Sequence, residues 1–279
     1  MDIILYNPLS RNGKNIKLVN KLKKKLNKKG RIVDTINLLE ITDIELFVTT
    51  NQNIDRFIII GGDGTLNRLV NGIRGIDIKP GIFLYKAGTG NDFIRSLPGR
   101  KKGLIDVKDY LKKLPKVSFN NREMLFLNGV GLGLDGLVCH KVNNSKYKKN
   151  KFNYFRHALE AFREFVPRVS KVFIDGLEIQ VDKTWFVSVM NSKYFGGGMK
   201  IAPKASRLND TLEVVIIKKV PKFILLTIFP TIYLGWHTKL KKYVNIYKGK
   251  EVKVVFDQGV IMQIDGDDFT DIKEITAIK

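Results

Sequence analysis

The chain opens on a short apolar run, residues 3–6, that stops at Asn7-Pro8. Ile16, Val19, Leu22 and Leu26 then recur every three or four residues among lysines, up to Gly30. That spacing lines one face of a helix, which the glycine closes. Residues 31–36 read as a strand and 43–49 as a short helix. Residues 57–60 are apolar at every position and run into Gly61-Gly62, after which 66–73 look helical. Residues 81–85 form another such strand. Strands without polar alternation are buried on both faces, so this alternation of strands and helices predicts a covered parallel sheet.

Near Met124 the pattern changes. Short strand-like runs follow at 124–130, 170–174, 177–181, 185–190, 211–218, 252–256 and 260–264. Asp175-Gly176 has the composition of a hairpin turn, and Asp257-Gln258-Gly259 reads as a second tight connection. Helical patterning returns only at 154–165 and 222–234, and 146–151 reads as a solvated loop. The second half is therefore expected to be β-rich, a sandwich.

With 279 residues, 44% of them hydrophobic, the chain can bury a core, which excludes disorder, collagen and coiled coil as the main architecture. Its single cysteine, Cys139, makes no internal disulfide and no thiol zinc site, which points to a reducing compartment. The first residues lack the basic segment of a signal peptide. The longest uncharged run, between Lys222 and Lys239, has 16 residues and contains Pro230, against the ~20 needed to span a bilayer. A cytoplasmic protein is expected.

The formal charge of +22 adds a second constraint, carried by 37 lysines and 12 arginines. Lysine is a point charge suited to anionic lipid, whereas base recognition favours the bidentate arginine. No run interleaves aromatics with arginines as a sheet that binds RNA would. Peripheral association with an anionic membrane is expected and nucleic acid is not. Codon preference for lysine is the alternative source of the charge.

Candidate chemistry sits at two turns. Gly61-Gly62-Asp63-Gly64-Thr65-Leu66-Asn67 follows an apolar strand and opens a helix. Backbone amides there form an anion site that glycines let phosphate approach. A simple strand–helix turn is the alternative. Asp63 beside a phosphate is tolerable only through a cation, which implies Mg²⁺ carried with the nucleotide. Gly88-Thr89-Gly90-Asn91-Asp92-Phe93-Ile94-Arg95 follows the next strand in the same way. Two such turns fall at the carboxyl edge of one sheet, where open α/β sheets bind ligands. Asn7-Pro8-Leu9-Ser10-Arg11 ends the first strand at that edge.

These motifs resemble the diacylglycerol kinase catalytic domain of bacterial lipid kinases. The resemblance continues through Phe126-Leu127-Asn128, the run from Gly196 to Ala205, and Gly235-Trp236-His237, and it finishes at Asp265-Gly266-Asp267. It implies a three-layer α/β nucleotide-binding domain at 1–123, with about 267–279 returning to it, and a β-sandwich lipid-substrate domain at 124–266. It also implies transfer of the ATP γ-phosphate to a lipid hydroxyl, with diacylglycerol as the default acceptor.

By the same resemblance Asn7, Pro8, Leu9, Ser10, Arg11, residues 61–67 and Thr89 surround the nucleotide, with Asn91, Asp92 and Arg95 beside them. Asp265 aligns with the general base of an Asp-Gly-Glu motif, whose third place is Asp267 here. Asp210 aligns with the ligand of a structural Mg²⁺ completed by the carbonyls of Arg207 and Leu212. Ser118 stands where the family commonly carries an aspartate, and Asp106 is the fallback carboxylate. His140, His157 and His237 read as structural. An NAD kinase-like enzyme and a catalytically weak nucleotide- or lipid-binding protein are the alternatives, and a homodimer is left open.

Overall fold

In the first part of the chain apolar runs become strands where they can bury both faces, as at residues 3–5 and 57–60. In the computed structural model, which describes residues 1–10, 15–87, 91–99, 102–146 and 151–279 (side chains from Asn153 in the last segment), the chain divides into two units, 1–113 and 114–279. The first unit runs β1 (Asp2–Tyr6), α1 (Asn15–Asn27), β2 (Val33–Asn37), α2 (Ile44–Thr50), β3 (Arg56–Gly61), α3 (Asp63–Gly72), β4 (Gly81–Lys86), α4 (Asp92–Ser96), β5 (Leu104–Asp106) and α5 (Lys108–Leu111). Its sheet has the order β2-β1-β3-β4-β5, parallel except for β5, which runs against β4. The expected parallel sheet thus carries an antiparallel edge.

Helices cover both faces. Val19, Leu22 and Leu26 of α1 pack on Ile4, Ile58 and Ile60. On the opposite face Phe47 of α2 meets Phe57, their ring centroids 6.1 Å apart. At the amino ends of the strands, buried Asp2 is gripped by Arg31 and Arg56. Burial alone would raise the pKa of Asp2, but the two guanidinium groups outweigh it and hold the carboxyl below its usual range.

The second unit runs β6 (Lys116–Phe119), β7 (Arg122–Leu125), β8 (Gly129–Gly133), α6 (Leu134–Asn143), α7 (Lys151–Glu164), β9 (Arg168–Ile174), β10 (Leu177–Met190), β11 (Leu212–Lys218), α8 (Lys222–Ile232), a 3-10 turn at Trp236–Lys239, β12 (Val244–Gly249), β13 (Glu251–Ile264) and β14 (Asp267–Ile278). The long strands β10 and β13 each pair with both β8 and β9, so the two layers of the sandwich share strands. One apolar core fills the interior, among Val130, Leu132, Val187, Val214, Val254 and Ile275. A second lies between the sheet and α6, α7 and α8.

The two-part fold class expected from the sequence is present, with four differences in its parts. Residues 177–190 are one strand with a bulge between Val181 and Thr184. Asp257-Gln258-Gly259 is an irregularity inside β13, with register shifts between Val255 and Val260, rather than a turn. A Cβ on Gly259 would lie 1.9 Å from an Asp271 carboxylate oxygen, so the glycine admits a close strand crossing. Residues 124–130 divide between β7 and β8 around Phe126-Leu127-Asn128. Residues 267–278 pair with β13 and β6 inside the second unit, and 116–123 belong there too, so both expected boundaries shift.

Candidate active site

In the first unit the described residues at the carboxyl ends of β1 and β3 form two turns, and α4 begins shortly after β4. Asn7 shapes the first: its Oδ1 accepts from Leu9 N–H at 2.9 Å and its carbonyl from Asn15 Nδ2 at 3.1 Å. The Ser10 hydroxyl lies 3.4 Å from that of Thr65 in the first turn of α3, which joins turn one to turn two. Gly61 permits that turn, because a Cβ there would sit 2.3 Å from the Thr65 hydroxyl oxygen. Gly64 faces open space. Asn67 is buried and accepts from Asn71 Nδ2.

Asp63 joins turn two to the start of α4. Its two carboxylate oxygens accept from Asp92 N–H at 2.8 Å and Phe93 N–H at 3.0 Å, so it caps α4 from 29 residues away. These two neutral amides orient Asp63 without cancelling its charge. Asn91 enters α4 at φ +52° in the left-handed region that asparagine tolerates. Arg95 binds Asp92 at 2.6 Å, so an acid of its own helix already engages it. Arg11, Gly88, Thr89 and Gly90 lie outside the described residues.

In the second unit Asp265 occupies the two-residue turn from β13 to β14, at φ +50°, followed by Gly266 at φ +103°. Its carboxylate turns back on the Phe126-Leu127-Asn128 segment. It accepts from the amides of Leu127 at 2.5 Å, Asn128 at 2.7 Å and Gly129 at 3.2 Å. Helix α6 fastens the same turn from its other side. Asn143 Nδ2 donates to the Gly266 carbonyl at 2.9 Å and to Asp268 at 2.7 Å, and His140 meets Asp268 at 2.6 Å. Burial would raise the Asp268 pKa, but these bonds outweigh it and hold the group low.

Asp135, in the first turn of α6, was not singled out in the sequence. It is buried, and Gln263 Nε2 donates to it at 3.1 Å while Gln263 Oε1 accepts from Gly266 N–H at 3.0 Å. Asp135 is thus two hydrogen bonds from the Asp265 turn. It borders a cavity of about 30 Å³ whose other walls are apolar, including Phe186, Phe195, Leu225 and Phe229. Burial raises its pKa to about 7. The signal for it was the alternation of Gly129, Gly131 and Gly133 just upstream. Glycines on one face of a strand mark close approach, and a Cβ on Gly131 would fall 1.6 Å from the Asp135 carboxylate.

The residues expected to hold a structural metal have other partners. Asp210 is exposed and pairs with Lys250 at 3.3 Å, and the Arg207 carbonyl accepts from Lys279 Nζ at 3.3 Å. Leu212 begins β11, in register with Gly249. Among the described residues no group of three or more His, Cys, Asp or Glu is placed to hold a metal ion. Lysine ammonium groups thus approach two of the three predicted ligands, Asp210 and the Arg207 carbonyl. Ser118 donates to Glu123 at 3.3 Å within the β6–β7 hairpin, and Asp106 caps Lys108 N–H at 3.0 Å. His237 is buried against the Ile201 carbonyl at 2.9 Å, and burial lowers its pKa, which leaves it neutral and structural as expected.

Comparison with known proteins places both units. The family model described as the diacylglycerol kinase catalytic domain matches residues 3–118, and that described as the YegS C-terminal NAD kinase beta sandwich-like domain matches 128–277. The chain belongs to the diacylglycerol kinase and lipid kinase family. Among its relatives in that family, a diacylglycerol kinase of Mycobacterium tuberculosis is 27% identical over 275 residues, covering 94% of this chain and 87% of its own. A diacylglycerol kinase of Staphylococcus aureus is 27% identical over 271 residues, covering 95% and 85%. The crystal structure of a diacylglycerol kinase from Bacillus anthracis shares the fold with a TM-score of 0.66 at 18% identity, covering all of this chain and 93% of that one. Membership in this kinase family implies ATP as the phosphate donor. Among the described residues no helix is long and apolar enough to cross a membrane.

Proposed function

We propose that the chain transfers the γ-phosphate of ATP to the hydroxyl of a lipid, with diacylglycerol as acceptor and phosphatidic acid as product. The observation that carries this reading is the tethering of the turns after β1 and β3 and the start of α4 at one sheet edge, through Ser10 with Thr65 and Asp63 with α4, in a chain of the lipid kinase family. Backbone amides at the start of α3 are the donors for phosphate oxygens. Magnesium enters as the nucleotide complex, neutralising phosphate charge.

Asp265 is the proton acceptor in this scheme. A loose phosphoryl transfer asks little basicity of the group that takes the hydroxyl proton and much of its position, and three amides fix this carboxylate.

The test is incubation with γ-labelled ATP and magnesium, using diacylglycerol, a total lipid extract and NAD in parallel. Label is expected in phosphatidic acid, and Asp265→Asn is expected to lower its rate by about 10²–10⁴. Label in NAD would establish the NAD kinase alternative. ATP binding without transfer to any acceptor would establish the binding-protein alternative.

A further inference from the structure

Helix α8 is apolar on every side. Leu225, Ile228, Phe229 and Ile232 face inward, and three of them wall the cavity beside Asp135. Its outward positions are apolar as well, apart from Lys222 and Thr227. Phe223, Leu226, Pro230 and Tyr233 recur at intervals of three and four residues, which places them on one helix face. Phe223 is 71% exposed and Leu226 42%, and just beyond the helix Leu234 and Trp236 are 56% and 57% exposed. A helix at a water interface ordinarily turns charge outward, and a continuous exposed apolar stretch marks a contact surface.

Charge around this stretch identifies the contact. From residue 214 to 250 the chain contains eight lysines and no Asp or Glu. Lys222 precedes the apolar stretch, and Lys239, Lys241 and Lys242 follow it, all exposed. An apolar ridge edged by ammonium groups, with tyrosine and tryptophan between, complements a bilayer whose apolar interior lies beneath anionic headgroups. Helix α1 is different: its exposed face carries Lys17, Lys21, Lys24 and Lys25, with Ile16 the exposed apolar side chain. It can add electrostatic attraction and little insertion.

We propose that α8 and the turn after it are the element by which the second unit seats on an anionic lipid bilayer. Phe223, Leu226, Leu234 and Trp236 enter the acyl boundary, and Lys239, Lys241 and Lys242 meet the headgroup phosphates. The surface rests on exposure and charge, while its purpose, to present a bilayer lipid to the seam lined by the inner face of α8, rests on the lipid kinase reading.

The two tryptophans make the experiment direct, because Trp185 is 2% exposed and Trp236 is on the surface. With vesicles of phosphatidylcholine and phosphatidylglycerol in equal parts, Trp236 emission should shift to the blue and be quenched by brominated acyl chains. Phe223→Ser/Leu226→Ser/Leu234→Ser keeps that reporter. It should weaken vesicle affinity at least about tenfold while the protein still melts cooperatively, since the three side chains lie at the surface and outside the core. Lys239→Gln/Lys241→Gln/Lys242→Gln should weaken it about fivefold per lysine, and added salt should do the same. Vesicle binding without quenching, or a triple serine variant that binds like the unsubstituted chain, overturns the proposal. So does a dimer in solution that the serine substitutions dissolve while vesicle binding is absent. Phosphorylation of a short-chain, water-dispersed diacylglycerol reads the kinase assignment separately: its failure leaves the docking surface standing, and its persistence in a variant that no longer binds vesicles locates the defect at docking.

Discussion

A carboxyl enclosed by Leu134, Val138 and Phe186 keeps its proton to about pH 7, because burial penalises the charged form of Asp135 more than the Gln263 amide stabilises it. In the unfolded chain the same group ionises near 3.8. Between those two values unfolding releases a proton, so stability falls as pH rises, and above pH 7 the loss is constant. Asp135→Asn removes this titration while keeping a hydrogen-bond acceptor for Gln263. The variant is expected to be more stable than the unsubstituted chain at pH 8, by up to about 4 kcal/mol, with the gap closing toward pH 4. Urea denaturation at both pH values measures it, and parallel pH slopes would show that Asp135 ionises freely in the fold. Asp63 presents the opposite case, a carboxylate oriented by two amides. Asp63→Ala should cost about 1 kcal/mol as a lost cap. It should weaken ATP binding by the same factor with and without magnesium, as calorimetry can determine. A loss confined to the magnesium complex would return Asp63 to a metal-facing role.

At the scale of elements, β8 and α6 act as one device. Asp135 of α6 fills the space above Gly131 of β8, and Gly136 of α6 lies against the backbone of Ile261 and Met262 in β13. Gly131→Ala should therefore destabilise by about 1–3 kcal/mol through overpacking. Combining it with Asp135→Ala should recover part of that loss in thermal melts, because the two changes share one volume. Additive losses would place the carboxylate elsewhere. The first unit was readable for a simple reason: β1 and β3 are buried on both faces, β4 is buried or half-buried over 81–85, and all three leave apolar runs. Strand β14 left no such trace. Asp267, Thr270, Asp271, Lys273 and Glu274 are exposed or half-buried, so its core positions Ile272, Ile275 and Ala277 are diluted among charges. In β10 and β13 polar interruptions imitated turns because a bulge and a turn use the same residues. The site divided likewise. Turns following apolar strands could be placed along the chain, whereas the Asp63–α4 cap and the Asp135–Gln263–Gly266 link join residues far apart in sequence and exist only in the folded chain.

Across the whole molecule, the division at 113 and 114 assigns the β6–β7 hairpin to the second unit, and the reason is energetic. Val117 and Phe119 are buried in the sandwich core, and Phe119 meets Phe269 edge-on with ring centroids 4.9 Å apart. Ser118 and Lys116 pair with Thr276 and Ile278, so the hairpin also closes an edge of β14. A fragment of residues 114–279 keeps these contacts, whereas one of residues 124–279, cut where the sequence pattern changes, loses them. Removing two buried side chains of this size forfeits about 3–6 kcal/mol of apolar burial and leaves unpaired backbone along β14. That is a large fraction of the 5–15 kcal/mol by which domains are ordinarily stable. The longer fragment is expected to melt cooperatively by circular dichroism. The shorter should melt at least about 10 °C lower or aggregate, given the usual conversion of free energy to melting temperature. Equal melting of the two fragments would show that the hairpin contributes nothing to the second unit and would move the boundary back to residue 123.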